Sequence, residues 1–166
     1  MHLVETAAME LHDVNLLLTV SILSAWQNIY FARKVSIIRN KHNIRHVSTT
    51  GHVEFETIYY ANQNLQQYYS TFLVLLWGAG VLTSQVWAAS IGLLYLFARQ
   101  RYFKGYLGPA TCRTPGYFFA KRTMTTLSGL VAIGLFNAFV KHFFGVEFDN
   151  YIANVAQVAP AVLLFI

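Results

Sequence analysis

Thr57 to Ala98 reads TIYYANQNLQQYYSTFLVLLWGAGVLTSQVWAASIGLLYLFA, 42 residues without one charged side chain. A helix rises about 1.5 Å per residue and the hydrocarbon of a bilayer is roughly 30 Å thick, so one crossing needs about 20 residues. The stretch is long enough for two crossings and must fold back on itself. Polar Thr83-Ser84-Gln85, between Leu73–Leu76 and Ile91–Leu94, is the natural reversal. Outward from there, Val14–Ala32 supplies 19 further uncharged residues and Thr123–Val140 supplies 18. The tail from Asn150 to Ile166 is also uncharged, but Asn150, Asn154, Gln157 and Pro160 interrupt it. It reads as a short interfacial or docking helix, not a fifth span. The expectation is one all-α membrane domain over residues 1–166, with spans near 12–33, 57–83, 86–106 and 117–141 and a short helix near 148–159.

Composition agrees. Of 166 residues, 55% are hydrophobic and 11% charged, at a mean hydropathy of +0.42. Soluble domains carry about 25% charged residues, so the soluble and disordered classes are both excluded. A single cysteine excludes a disulfide scaffold. Met1–Asp13 holds Glu5, Glu10 and Asp13 but no Lys or Arg, so the first apolar run reads as a retained helix and not a signal peptide. The basic residues cluster in two places: Arg33, Lys34, Arg39, Lys41 and Arg45, then Arg99, Arg101, Lys104, Arg113, Lys121 and Arg122. These are 11 of the 12 Lys and Arg. The positive-inside rule puts both basic segments, 33–52 and 99–116, in the cytoplasm and both termini in the lumen. The net charge of +5 is then a topology and membrane-surface signal, and gives no reason to expect nucleic acid as a partner.

Polar residues inside apolar helices carry the functional information, because a bilayer penalises them unless they face a partner or a cavity. Tyr60, Asn64, Gln67 and Thr71 fall on one face of the second span, widened by Asn62, Gln63 and Tyr68. Tyr95, Arg99, Tyr102 and Tyr106 repeat the spacing on the third, and Tyr117, Lys121, Thr125 and Ser128 do so on the fourth. Gln27 and Asn28 sit at the same depth on the first. Such stripes serve either as interhelical hydrogen-bond glue or as the lining of a site for an amphipathic ligand, its anionic head against Arg99, Arg101, Arg113, Lys121 or Arg122.

Other motifs are sparse. His42 and His46 are four apart, as metal ligands on a helix would be, but no third ligand is near and the segment reads as a polar loop, so no metal is expected. Cys112 beside Arg113 reads as an ordinary loop cysteine. No Ser-His-Asp set, phosphate loop or carboxylate pair is present, and no acidic residue lies between Glu56 and Glu147.

The runs Tyr60-Ala61-Asn62-Gln63-Asn64, Tyr95 to Gly108 (YLFARQRYFKGYLG), Thr114-Pro115-Gly116-Tyr117, Phe144-Gly145 and Phe148 to Ile152 resemble the MAPEG family, the membrane-associated proteins of eicosanoid and glutathione metabolism. The resemblance implies a homotrimer of four-helix subunits, open to association with other family members, in the nuclear envelope and endoplasmic reticulum. Within the family it is strongest to the 5-lipoxygenase-activating proteins. That branch implies a non-enzymatic chain without a cofactor, which binds arachidonic acid between subunits and presents it to 5-lipoxygenase, with the basic segments as the docking surface. Carried over by position, Asn28, Ala32, Thr71, Tyr117 and Lys121 match its lipid and inhibitor site. Ile29, Tyr30, Gln67, Tyr68, Phe118 and Ser128 occupy site positions with different side chains, and Met124 and Thr125 complete the lining.

The alternative branch, resembling leukotriene C4 synthase and the microsomal glutathione transferases, is enzymatic. Its glutathione-binding pattern survives here as Asn64, Tyr68, Tyr102 and Tyr106, with Arg113 in the thiol-activating position. An Arg of that pattern is Tyr60 here and a Glu is Gln67. Two lost charge-assisted hydrogen bonds, at roughly 1.5–3 kcal/mol each, would weaken a doubly charged peptide by about two to four orders of magnitude. The expectation on this ground is a lipid-presenting protein and not an enzyme.

Overall fold

The computed structural model describes residues 14–106 and 112–144. Five helices follow in order: α1 (Asn15–Lys41), α2 (Val53–Gln67), α3 (Tyr69–Leu82), α4 (Gln85–Tyr106) and α5 (Thr114–Phe144). They form four rods, because α2 and α3 are one rod broken at Tyr68. The break falls where the polar run Asn62–Gln67 gives way to the apolar run from Phe72 to Leu76. Thr83 and Ser84 alone separate α3 from α4. The short helix expected over 148–159 and the motif residues from Phe148 to Ile152 lie outside the described residues.

α1 continues eight residues beyond the span expected for it. Arg33 to Lys41 are therefore helical and not loop, whereas α4 keeps close to its expected bounds and carries Arg99 to Lys104 within the helix. Long basic side chains have good helix propensity, so the charges end the apolar stretch without ending the helix. Among the described helices, α5 alone is long and apolar enough to cross a bilayer by itself. Only 22% of its apolar window is buried, which is the opposite of a soluble protein's core helix. The break at Tyr68 leaves α2 and α3 with 15 and 14 residues, each too short alone.

Small residues set how closely the rods approach. Ala61, Ala79, Ala88 and Ala98 are fully buried between helices. In lipid, where apolar burial gives little drive to association, such close backbone approach lets van der Waals contact hold helices together. One cluster joins Leu17 and Val20 of α1, Phe72 and Leu76 of α3, Ile91 and Tyr95 of α4 and Leu127 and Leu130 of α5. A second, at the other end, joins Phe31 and Val35, Phe55, Ile58 and Leu65, and Tyr102 and Phe103. Phe31 stacks on Phe103 with ring centroids 4.3 Å apart, and Phe72 on Tyr95 at 4.1 Å. Polar links cross the bundle too: Gln27 Nε2 donates to the Leu96 carbonyl at 2.9 Å and Trp77 Nε1 to Ser21 Oγ at 3.1 Å. Conversely, Trp26, Val74, Val81, Phe97, Phe136 and Phe143 point outward.

Candidate functional site

The site lies where the last turns of α2 face the second half of α4 and where α5 starts against α4. α4 turns its stripe inward, so that Tyr95, Arg99 and Tyr102 are all buried. Asn64 of α2 faces the far end of that stripe. Its Nδ2 donates to the hydroxyls of both Tyr102 and Tyr106, each at 3.3 Å.

Two glycines bring α5 against this cluster. A Cβ on Gly116 would stand 2.6 Å from the Tyr102 nitrogen and 2.8 Å from its Cα. One on Gly105 would meet the Cys112 carbonyl and lie 2.8 Å from Arg113 Cα. With hydrogen at both positions the backbones touch, and the Arg113 guanidinium rests over the Tyr106 ring, 4.8 Å from its centroid. Tyr102 also meets Tyr117, with centroids 6.3 Å apart.

Beyond Tyr117 a cavity of about 250 Å³ opens, lined by Tyr68, Tyr95, Arg99, Tyr117, Ala120, Lys121, Met124 and Thr125. Arg99 is only 6% exposed, an unusual position for a guanidinium. Its Nε donates to Tyr95 Oη at 2.8 Å, and its carbon centre lies 5.3 Å from the Tyr68 centroid and 5.0 Å from that of Tyr95. Phe72, stacked on the other side of Tyr95, fixes that ring in turn. The cavity thus combines a held cation, an exposed one in Lys121, aromatic walls and an apolar floor. It suits an amphiphile with an anionic head.

The carried-over residues divide into groups. Asn64, Tyr102, Tyr106 and Arg113 come together, and Tyr68, Tyr117, Lys121, Met124 and Thr125 line the adjoining cavity. Ile29 and Tyr30 line a separate hollow on the outer face of α1, with Trp26, Arg33, Lys34 and Ile37. Asn28 lies in a small crevice between α1 and α4. Ala32, Gln67, Thr71, Phe118 and Ser128 are exposed. One chain by itself does not assemble the lipid site expected from the sequence. Arg99 and Tyr95 are wall residues that matching by position leaves out, although the α4 stripe displays both. Arg101 and Arg122, weighed as anion contacts, are exposed.

The MAPEG family model matches residues 16–133. The chain belongs to the MAPEG family. Its relatives include microsomal glutathione S-transferase 2 of Mus musculus, 42% identical over 79% of this chain and 89% of the mouse protein. The Bos taurus protein of the same name is 36% identical over 80% of this chain and 90% of its own length. These MAPEG relatives overturn the expectation of a chain that is not an enzyme, and they favour the glutathione-using branch over the arachidonate-presenting one. The reason for the error is structural. Tyr60 and Gln67 are exposed on α2, whereas Arg99 of α4 and Lys121 of α5 line one cavity and Arg113, just before α5, rests on Tyr106. The two lost contacts are therefore offset by cations that remain, Arg113 among them.

Proposed function

We propose that this chain is a membrane-bound glutathione S-transferase that joins the thiol of glutathione to a lipophilic electrophile. The observation that carries the reading is Arg113, seated on Tyr106 beside the Asn64–Tyr102–Tyr106 hydrogen-bonded cluster. A guanidinium beside a thiol favours the thiolate, which is the nucleophile. The thiolate sulfur attacks an electrophilic carbon and a C–S bond forms. With an aryl halide the halide leaves. With an epoxide the ring C–O bond breaks and its oxygen takes up a proton.

The Arg99–Lys121 cavity adjoins the cluster through Tyr117 and takes the reactive end of the electrophile. Lateral entry fits, because Tyr68, Tyr117 and Phe118 lie at the surface. The same reading places the chain as a homotrimer in the endoplasmic reticulum and nuclear envelope, with four rods crossing and the basic end cytoplasmic. The exposed outer face of α1 and the cavity beside α5 are then walls of one site completed by neighbouring subunits.

The test is conjugation of glutathione to 1-chloro-2,4-dinitrobenzene by purified protein in detergent micelles. The expected result is turnover above the protein-free rate, reduced about 10²-fold or more in kcat/KM by Arg113→Ala. Turnover at the protein-free rate with this and an epoxide substrate would sink the proposal.

A further inference from the structure

α1 ends at Lys41 and α2 begins at Val53, with His52 as its N-cap. The connection is held from within. Arg39 Nη1 donates to the carbonyls of Arg45, His46 and Ser48 at 2.6, 3.2 and 2.9 Å, and its guanidinium lies 4.6 Å from the Phe55 centroid. The Gly51 N–H donates to Glu56 Oε1 at 2.9 Å. On this frame the His42 and His52 rings stack with centroids 3.8 Å apart, and His42 Nε2 lies 2.8 Å from Glu54 Oε2. One ligand atom from each of His42, His52 and Glu54 lies within 4.8 Å of the other two.

We propose that His42, His52 and Glu54 form a binding site for a divalent transition-metal cation, Zn²⁺ above all, that clamps the end of α1 to the start of α2. Two imidazoles and a carboxylate are a borderline donor set, and with one water they complete a tetrahedron. Zn–N and Zn–O bonds of about 2.0–2.1 Å put tetrahedral ligand atoms about 3.3 Å apart. The 2.8 Å contact must open slightly and the 4.8 Å limit must close, so the required shifts are side-chain rotations.

Three local contacts change. Binding displaces the hydrogen shared by His42 and Glu54. His52, whose Nδ1 accepts from the Glu54 N–H at 3.2 Å, turns out of the stack, since a metal lies in the plane of each imidazole it binds. Lys41, whose Nζ is 2.8 Å from Glu54 Oε2, withdraws to solvent, to which it is already 57% exposed. His46, the partner that the i, i+4 spacing suggested, is exposed and stands outside the cluster.

The experiment is calorimetric titration of the tag-free full chain in detergent micelles with ZnCl₂, alongside its visible spectrum with Co²⁺. The expected result is one ion per chain with a Kd of about micromolar or tighter. His42→Ala and His52→Ala should each weaken binding by roughly tenfold or more, and His46→Ala should leave it unchanged. Glu54→Gln, which keeps the side-chain shape, should weaken it too. Zn²⁺ should raise the melting temperature of the wild type and not of His42→Ala. Co²⁺ should give intense tetrahedral bands. Sub-stoichiometric binding by the wild type overturns the proposal. So does an affinity shared by wild type, Glu54→Gln and a His42→Ala/His52→Ala double variant whose helical spectrum is intact. Neither readout depends on transferase turnover.

Discussion

Gly116 has no side chain because the Tyr102 backbone occupies the space where one would go. Gly116→Ala must push α5 off α4, and overpacking of this kind costs about 1–3 kcal/mol. The expected outcome is a lower melting temperature together with a loss of transferase rate, since Arg113 rides on the displaced segment. A variant melting and turning over like the wild type would show that the contact is slack. Glu54 gives a prediction in pH. Its folded carboxyl ionises at about 2 instead of 4.5, chiefly through the hydrogen bond from Lys41 and then that from His42. The depressed value means that the folded state favours the anion. Its stabilisation is complete above pH 4.5 and fades as pH falls toward 2. Glu54→Gln should flatten that part of the melting-temperature profile; an unchanged acid slope would assign the effect elsewhere. Some of this residue-scale detail was legible in the sequence. Asn64, Tyr102, Tyr106 and Arg113 stood out by spacing and by resemblance, and the structure brings them together. The His42 neighbourhood was not legible, because helix spacing proposes His46. α1 stops at Lys41, and the true neighbours arrive from the start of α2.

At the scale of elements, α3 supports the cavity without lining it. Phe72 stacks on Tyr95, Tyr95 accepts from Arg99, and Arg99 forms the wall. Phe72→Ala removes the backing ring at a typical cost of 3–5 kcal/mol for a buried aromatic, about 4 kcal/mol here. It should lower stability and raise KM for an anionic electrophile more than it changes kcat. An unaltered KM in a folded variant would detach Arg99 from substrate binding. The charge-free runs made four rods readable, because a helix satisfies its own backbone and can carry so long an uncharged stretch through oil. The interruption at Tyr68 was not readable, since no proline or glycine marks it. The length of α1 was misread for a related reason: absence of charge reports the oily part of a helix, while the hydrogen-bonded ladder continues through Arg39 to Lys41.

Across the whole molecule, the two basic segments lie at one end. Packing of Phe31, Phe55 and Phe103 brings the end of α1, the start of α2 and the end of α4 together, and Arg113 sits against Tyr106 there. Lys141, the twelfth basic residue, is near the opposite end of α5. If that end faces the cytoplasm, a membrane-impermeant maleimide should label Cys112, which is exposed, from the same side as a Val47→Cys substitution in a Cys112→Ser background. Labelling from opposite sides of sealed microsomes would break the topology.

α5 has 31 residues and so extends about 46 Å, well beyond the roughly 30 Å of oil in a bilayer. On the proposed function, with the basic end at the cytoplasmic surface, its first turns from Thr114 to Lys121 stand in the headgroup layer. There a water-borne thiol and an oil-borne electrophile, which share no common solvent, can collide. On the proposed function the conjugate carries a charged peptide that the oil rejects, so its departure into water draws product away from the site.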